Sequence, residues 1–293
     1  MAKAKALRSL SGRRVLITGA ARGIGALTAR RLHERGAKVA LLGLEPELLQ
    51  AVAADCGSAP WAECDVADRA QMDTTVAAMI EQLGGLDVAI ANAGIGAQMT
   101  LIDGDSSVWD QTFAVNLMGA YNLVRAAGPH VAHKDGYFLL TASLAAAVHL
   151  PLMSAYCASK AAVESLGDSL RMELRPSRAR VGVAYFAELD TDMTARGFNT
   201  KAAARMPLGG HGHLPVSPVG PAIDALERGI ANRSRQIVSP AWVAPLLPIR
   251  AIAQRVVERQ LGRDFNTTLK IARSEQVELT TPQPVRSGAN SPR

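Results

Sequence analysis

The sequence predicts a three-layer α/β fold: a mostly parallel seven-stranded sheet with helices on both faces. Three observations predict it. Short apolar runs alternate along the chain with longer segments of helical periodicity, the rhythm of βαβ units. The apolar runs lack in–out alternation, as expected for strands buried on both faces. The composition, 48% hydrophobic but only 4% aromatic, suits helices packed closely on a sheet. A chain of 293 residues is long enough for a sizeable core.

The first strand is the Val-Leu-Ile run at 15–17. Thr18-Gly-Ala-Ala-Arg-Gly-Ile-Gly25 follows, leading into a helix with Ile24, Leu27, Thr28 and Leu32 on one face. Strand, glycine-rich turn and helix is the context in which a glycine pattern indicates a nucleotide site. Glycines permit close backbone approach, and the helix N-terminus offers N–H groups to a pyrophosphate. Gly36 ends this helix as a left-handed cap. Residues 39–42 are the second strand, and Pro46 opens a helix to about Cys56. The third strand is 61–65. Asp68 then caps a helix to Leu83, with Val76, Met79, Ile80 and Leu83 on one face and Gly84-Gly85 as its stop.

The fourth strand, 88–91, ends in Asn92-Ala-Gly94. A long helix is expected from Ser107 toward Ala127, weakened at Gly128-Pro129. Residues 137–141 and 181–186 are strands five and six around a helix from Ser154 to Leu174, and 237–238 is a short seventh strand. The stretch 188–218, rich in Gly, Thr, Met and Ala, breaks the rhythm and reads as a functional lid or a disordered loop, and is assigned as the substrate loop. Residues 241–262 read as an amphipathic helix. Leu247, Ile249, Ile252, Val256, Val257 and Leu261 oppose Arg250, Arg255, Glu258 and Arg259. Packing on the body or a partner subunit is expected of it, with a membrane-surface role as the alternative. The division is thus one domain over 1–240, the helix 241–262, and a polar tail, 274–293, expected to be disordered.

The formal charge of +6 comes from scattered Lys and Arg, a solvated surface rather than a nucleic-acid patch. Cys56, Cys64 and Cys157 have no metal-ligand spacing and point to a reducing compartment. No signal peptide is read, and the longest apolar stretch, 138–153, is too short to span a bilayer. A cytoplasmic protein with no nucleic-acid partner and no metal is expected. His211 and His213 lack a third ligand, and Cys157 reads as a packing residue. His149 either lines a substrate pocket or sits at the surface.

Tyr156-Cys-Ala-Ser-Lys160 places a phenol and an ammonium one helical turn apart. A free tyrosine titrates near about 10, and a neighbouring cation favours the phenolate. Working near neutral pH asks for about 4 kcal/mol of such help. The glycines after strand one, Asp65 at the end of strand three, Asn92 after strand four and Ser143 after strand five converge on one rim, where open α/β sheets bind ligands.

Taken together, the chain resembles the short-chain dehydrogenase/reductase family, non-extended branch. The resemblance rests on the glycine motif at 18–25, Asp65-Val66, Asn92-Ala-Gly94, Asn116, Ser143, Tyr156-x-x-x-Lys160 and Asp190-Thr191, and covers about residues 10–240. It implies a Rossmann fold, a homodimer or homotetramer, and an NAD(H)- or NADP(H)-dependent oxidoreductase interconverting a secondary alcohol and a ketone. Tyr156 would exchange the proton, Ser143 would hold the oxygen, and Lys160 would bind the nicotinamide ribose and lower the tyrosine's pKa. Asn116 would hold a relay water. Gly19, Arg22, Gly23, Ile24, Gly25, Glu45, Asp65, Val66, Asn92, Ala93, Gly94, Tyr156, Lys160 and Thr191 would contact the cofactor. Two departures stand out. Phe186-Ala187 replaces the family's usual Pro-Gly pair, and strand two ends in Gly43-Leu44-Glu45, which leaves NAD or NADP open. Leu150, Leu152 and Met153 suggest an apolar substrate. A nucleotide-binding sensor without turnover and a membrane-surface lipid or steroid dehydrogenase are the alternatives.

Overall fold

A computed structural model describes residues 8–193, 200–206, 216–260, 265–275 and 279–284. Seven strands form one sheet in which every neighbouring pair is parallel. They are β1 (Arg14–Thr18), β2 (Lys38–Gly43), β3 (Trp61–Glu63), β4 (Val88–Ala91), β5 (Tyr137–Thr141), β6 (Arg180–Phe186) and β7 (Gln236–Ser239). Their order across the sheet is β3-β2-β1-β4-β5-β6-β7. The order reverses between β1 and β4, and a crevice opens at the carboxyl ends of such a pair.

The all-apolar strands feed two cores at once. Leu16, Phe138 and Leu140 enter one buried cluster; Val15, Ile17, Tyr137 and Leu139, one residue out of phase, enter the other. On the first face lie α3 (Arg69–Leu83), α5 (Gly119–Val131) and α6 (Ser154–Glu173). On the second lie α1 (Gly23–Glu34), α2 (Pro46–Asp55) and α7 (Gly220–Asn232). Phe138 is fully buried, so truncation to alanine costs about 3–5 kcal/mol.

Local signals set the helix ends. The Asp68 carboxylate accepts from Gln71 N at 3.0 Å, and Gly84 closes α3 at φ 73°. The helix expected from Ser107 is instead α4 (Ser106–Phe113), a five-residue π turn (Ala114–Met118) and α5. The extra residue per turn places Asn116 inward, 1% exposed. Helix α5 continues past Gly128-Pro129 because Ala127 and Val131 are fully buried and hold its last turn on the sheet.

The segment 241–262 is not one helix. It comprises a 3-10 stretch (Ala241–Leu246) and α8 (Arg250–Gln260). Pro245 and Pro248 lack the N–H that a continuous helix needs. A further helix, α9 (Phe265–Ser274), packs Ala272 against Leu152, Ala202 and Met206. Within the stretch 274–293, residues 279–284 lie against the domain. Thr280 is 3% exposed, and it donates its N–H to Gly96 O at 3.1 Å while Gly96 N donates to its hydroxyl at 3.2 Å. Among the described residues no helix is long and apolar enough to cross a membrane, and no cluster of His, Cys, Asp or Glu could hold a metal.

Candidate active site

The turn after β1 and the turn after β4 are tied together. Asn92 Nδ2 donates to the carbonyls of Thr18 and Gly19, both at 3.1 Å, and Thr18 Oγ1 accepts from the N–H groups of Asn92 and Ala93. The approach requires glycine. A Cβ on Gly19 (φ 64°) would stand 2.7 Å from Ala93 Cα, and one on Gly25 would stand 2.1 Å from Gly19 O. A Cβ on Gly23 would meet no atom within 4 Å. That face of the backbone is bare, beside the start of α1, whose first N–H groups have no partner within the helix. Arg22, at the helix N-cap, makes no side-chain cap to them. A helix start left open in this way has the geometry that can receive an anion.

Beside it, Arg22 is bonded to Glu45, with Nε 2.7 Å from Oε2, and its guanidinium lies 3.8 Å from Asp192. Asp65 follows the end of β3. Its carboxylate accepts from Ala67 N at 2.9 Å, and its own N–H donates to Gln71 Oε1. Val66 is 5% exposed, its carbonyl held by Asn122 Nδ2. Gly19, Arg22, Gly23, Ile24, Glu45, Asp65, Val66, Asn92, Ala93 and Gly94 all line one cleft of about 600 Å³. Gly25 sits just behind it, under Gly19.

At the other end of that cleft β5 and α6 bring Ser143, Tyr156 and Lys160 together. Ser143 Oγ donates to Phe186 O at 3.3 Å, accepts from Ala145 N at 3.1 Å, and shares a hydrogen bond with the Tyr156 phenol. Lys160 Nζ stands 5.7 Å from the centre of the Tyr156 ring and donates to Thr141 O at 2.8 Å. Asn116 fastens the segment after β4: Oδ1 accepts from Ile95 N at 2.8 Å, and Nδ2 donates to Ile95 O and to Ser159 Oγ, both at 2.9 Å. Ser159 Oγ in turn donates to Tyr156 O at 2.8 Å.

Burial sets the titration of the pair. It pushes the Tyr156 phenol up to about 12 against the Ser143 hydrogen bond, and brings the Lys160 ammonium down to about 8. In the protein without its cofactor, burial is the dominant cause of the phenol's shift. The short contact of the ammonium is to Thr141 O.

The unusual Phe186-Ala187 pair is built into the sheet edge: Ala187 N donates to Ser239 O at 3.1 Å, and Phe186 O receives Ser143. Thr191 lines the cleft, its hydroxyl 3.5 Å from Leu189 O. His149 is exposed. Its N–H donates to Gln254 Oε1, and its ring nitrogen lies 3.0 Å from Ala145 O. Cys157 is 3% exposed against Met153, its thiol raised by burial. His211 and His213 lie outside the described residues.

Sequence reasoning missed the opposite wall. Trp242, Leu246, Ile249, Ile252 and Val256 line the cleft, as do Gln98, Thr280 and Gln283. The amphipathic stripe over 241–262 was the available signal for the apolar part; nothing in the sequence marked the polar part. Ile252 is 62% exposed, so the apolar wall reaches the mouth of the cleft.

Residues 13–202 match a family model described as short chain dehydrogenase. D-threitol dehydrogenase of Mycolicibacterium smegmatis is 34% identical over 169 residues, covering 56% of this chain and 65% of that protein. The 11-beta-hydroxysteroid dehydrogenase-like 2 protein of Arabidopsis thaliana is 27% identical over 272 residues, covering 89% and 84%. A crystal structure of a short chain dehydrogenase/reductase from Burkholderia phymatum in complex with NAD superposes with a TM-score of 0.72 at 25% identity, covering 86% of this chain and 96% of that one.

Proposed function

The chain belongs to the short-chain dehydrogenase family, and from that premise we propose that it interconverts an apolar secondary alcohol and its ketone with a nicotinamide dinucleotide. The observation that carries the reading is the Ser143–Tyr156–Lys160 set facing the same cleft as the anion-binding turn. The bare backbone at Gly23, the start of α1 and the carboxylates of Glu45 and Asp65 fit a dinucleotide's pyrophosphate, ribose and adenine. When bound, the nicotinamide supplies or accepts the hydride.

The side chains do the rest. Ser143 and Tyr156 hold the substrate oxygen, and Tyr156 exchanges its proton. A phenol raised to about 12 is protonated at neutral pH; it stands ready as the acid for ketone reduction. Lys160 and Asn116 flank Gly94, with Nζ 3.2 Å and Oδ1 3.4 Å from where its Cβ would be. The relay water belongs in that space. Lys160 also reaches the ribose hydroxyls, and Thr191 the nicotinamide amide. The exposed Ile249, Ile252 and Val256 at the cleft mouth support an apolar substrate.

For the cofactor we favour NAD(H). Arg22 is already engaged by Glu45, and a 2′-phosphate placed there would face that carboxylate. The reading includes assembly as a homodimer or homotetramer, which sedimentation velocity measures. A panel of apolar ketones with NADH and NADPH tests the chemistry. Tyr156→Phe should lower kcat by about 10²- to 10⁴-fold with NADH binding retained. No turnover of any ketone, or an unchanged kcat in the variant, would overturn the proposal.

A further inference from the structure

Gln98 lines the cleft and is 3% exposed. Its Oε1 accepts from Thr200 Oγ1 at 2.6 Å, while its Nε2 is buried with no partner among the described residues. Gln283 lines the same cleft. Its Nε2 donates to the carbonyls of Thr281 and Pro282 at 3.0 and 3.3 Å, and its buried Oε1 has no partner among the described residues. The segments bearing the two amides are joined by the reciprocal Gly96–Thr280 hydrogen bonds. Among the described residues, one cleft therefore holds an unmet donor and an unmet acceptor, each fixed by the other half of its own amide. A buried polar atom left unpaired is costly, and a ligand that pairs with it removes the cost.

The same cleft is lined by the apolar side chains of Trp242, Leu246, Ile252 and Val256. Neither glutamine bonds Ser143, Tyr156 or Lys160, so the oxygen they address is not the reacting one. We infer that Gln98 and Gln283 anchor a second oxygen function of the substrate, which is an apolar secondary alcohol or ketone carrying a further hydroxyl or ketone oxygen. A ketone oxygen accepts from Gln98 Nε2. A hydroxyl accepts there or donates to Gln283 Oε1. The inference rests on the oxidoreductase reading above.

The test compares a decalone with its counterpart hydroxylated on the second ring, following NADH oxidation. The wild type should favour the hydroxylated ketone in kcat/KM by about 10- to 100-fold. Gln98→Met keeps the side-chain length, removes the amide, and should bring that preference, read as the ratio of the two kcat/KM values in the same variant, within about two-fold. Should Gln98→Met fail to fold, Thr200→Val leaves Gln98 in place without the bond that orients it and should erode the same preference. NADH binding should be unchanged in both variants. A wild type that reduces both ketones without preference, or a preference that survives in both variants, overturns the anchor alone; water then satisfies the amides. A wild type that binds NADH and reduces neither ketone overturns the anchor, and failure across the wider ketone panel overturns the oxidoreductase reading itself.

Discussion

Replacing Lys160 by methionine should make the cofactor-free protein more stable at neutral pH, although it removes a residue of the proposed catalytic set. Lys160 is 4% exposed, and burial brings it from 10.5 down to about 8. In the unfolded chain the ammonium keeps its ordinary value of about 10.4. Between those values the unfolded chain binds the proton and the folded one does not, so stability rises with pH across the window from about 8 to 10.5. Below it the folded state carries the whole penalty, about 3 kcal/mol at 1.36 kcal/mol per pH unit. Methionine removes the charge and forfeits the bond to Thr141 O, about 1 kcal/mol. The net gain at pH 7 is then about 2 kcal/mol. By about pH 9.5 some 2 kcal/mol of the wild-type penalty has gone, and the two proteins nearly coincide. Urea unfolding of both at several pH values measures this, since other titrating groups cancel in the difference. A variant less stable than wild type at pH 7, or a gap that does not change with pH, refutes the reasoning.

Three further outcomes follow from the same geometry. Gly25→Ala drives a Cβ to 2.1 Å from Gly19 O. It should cost about 1–3 kcal/mol in thermal unfolding and weaken NADH in a fluorescence titration; an unchanged Tm and Kd would count against the tight crossing of the two turns. Asn92→Ala strips the Nδ2 donor from the Thr18 and Gly19 carbonyls. A loss of about 1–3 kcal/mol is expected, read as a lower urea midpoint, and wild-type stability would remove the clasp. Glu45→Gln releases Arg22 and should move the NADPH-to-NADH affinity ratio about ten-fold toward NADPH, about 1.4 kcal/mol. A ratio that stays put sinks the NAD(H) preference.

The sheet was legible because its strands are buried on both faces and therefore read as unbroken apolar runs. Even β7 was visible from two residues, Ile237-Val238. Helix ends were legible where one residue decides them, as Asp68 and Gly84 do. The π turn at Ala114–Met118 was not, since its side chains follow ordinary helical chemistry and only the backbone register slips. Asn116 stood out as a candidate through the family resemblance, but its partner Ile95 lies 21 positions earlier and reveals itself only in space. The rise of Tyr156 to about 12 depends on how much water the fold removes, which no local pattern encodes. The polar end of the cleft was hidden because residues 279–284 have the composition of a loose tail.

The Gly96–Thr280 clasp also sets a timetable. Its partners are 184 positions apart, and chains lengthen at about 5–20 residues per second. Some 10–40 seconds thus separate the emergence of one from the other during synthesis. The residues of the turn after β1, of the Asn92 tie and of the Tyr156 helix are all synthesised before Thr280. A nascent chain therefore carries every residue of the proposed cofactor rim before it carries the clasp that ties residues 279–284 to the domain. The segment that carries Gln283 is thus the last part of the cleft's lining to be synthesised.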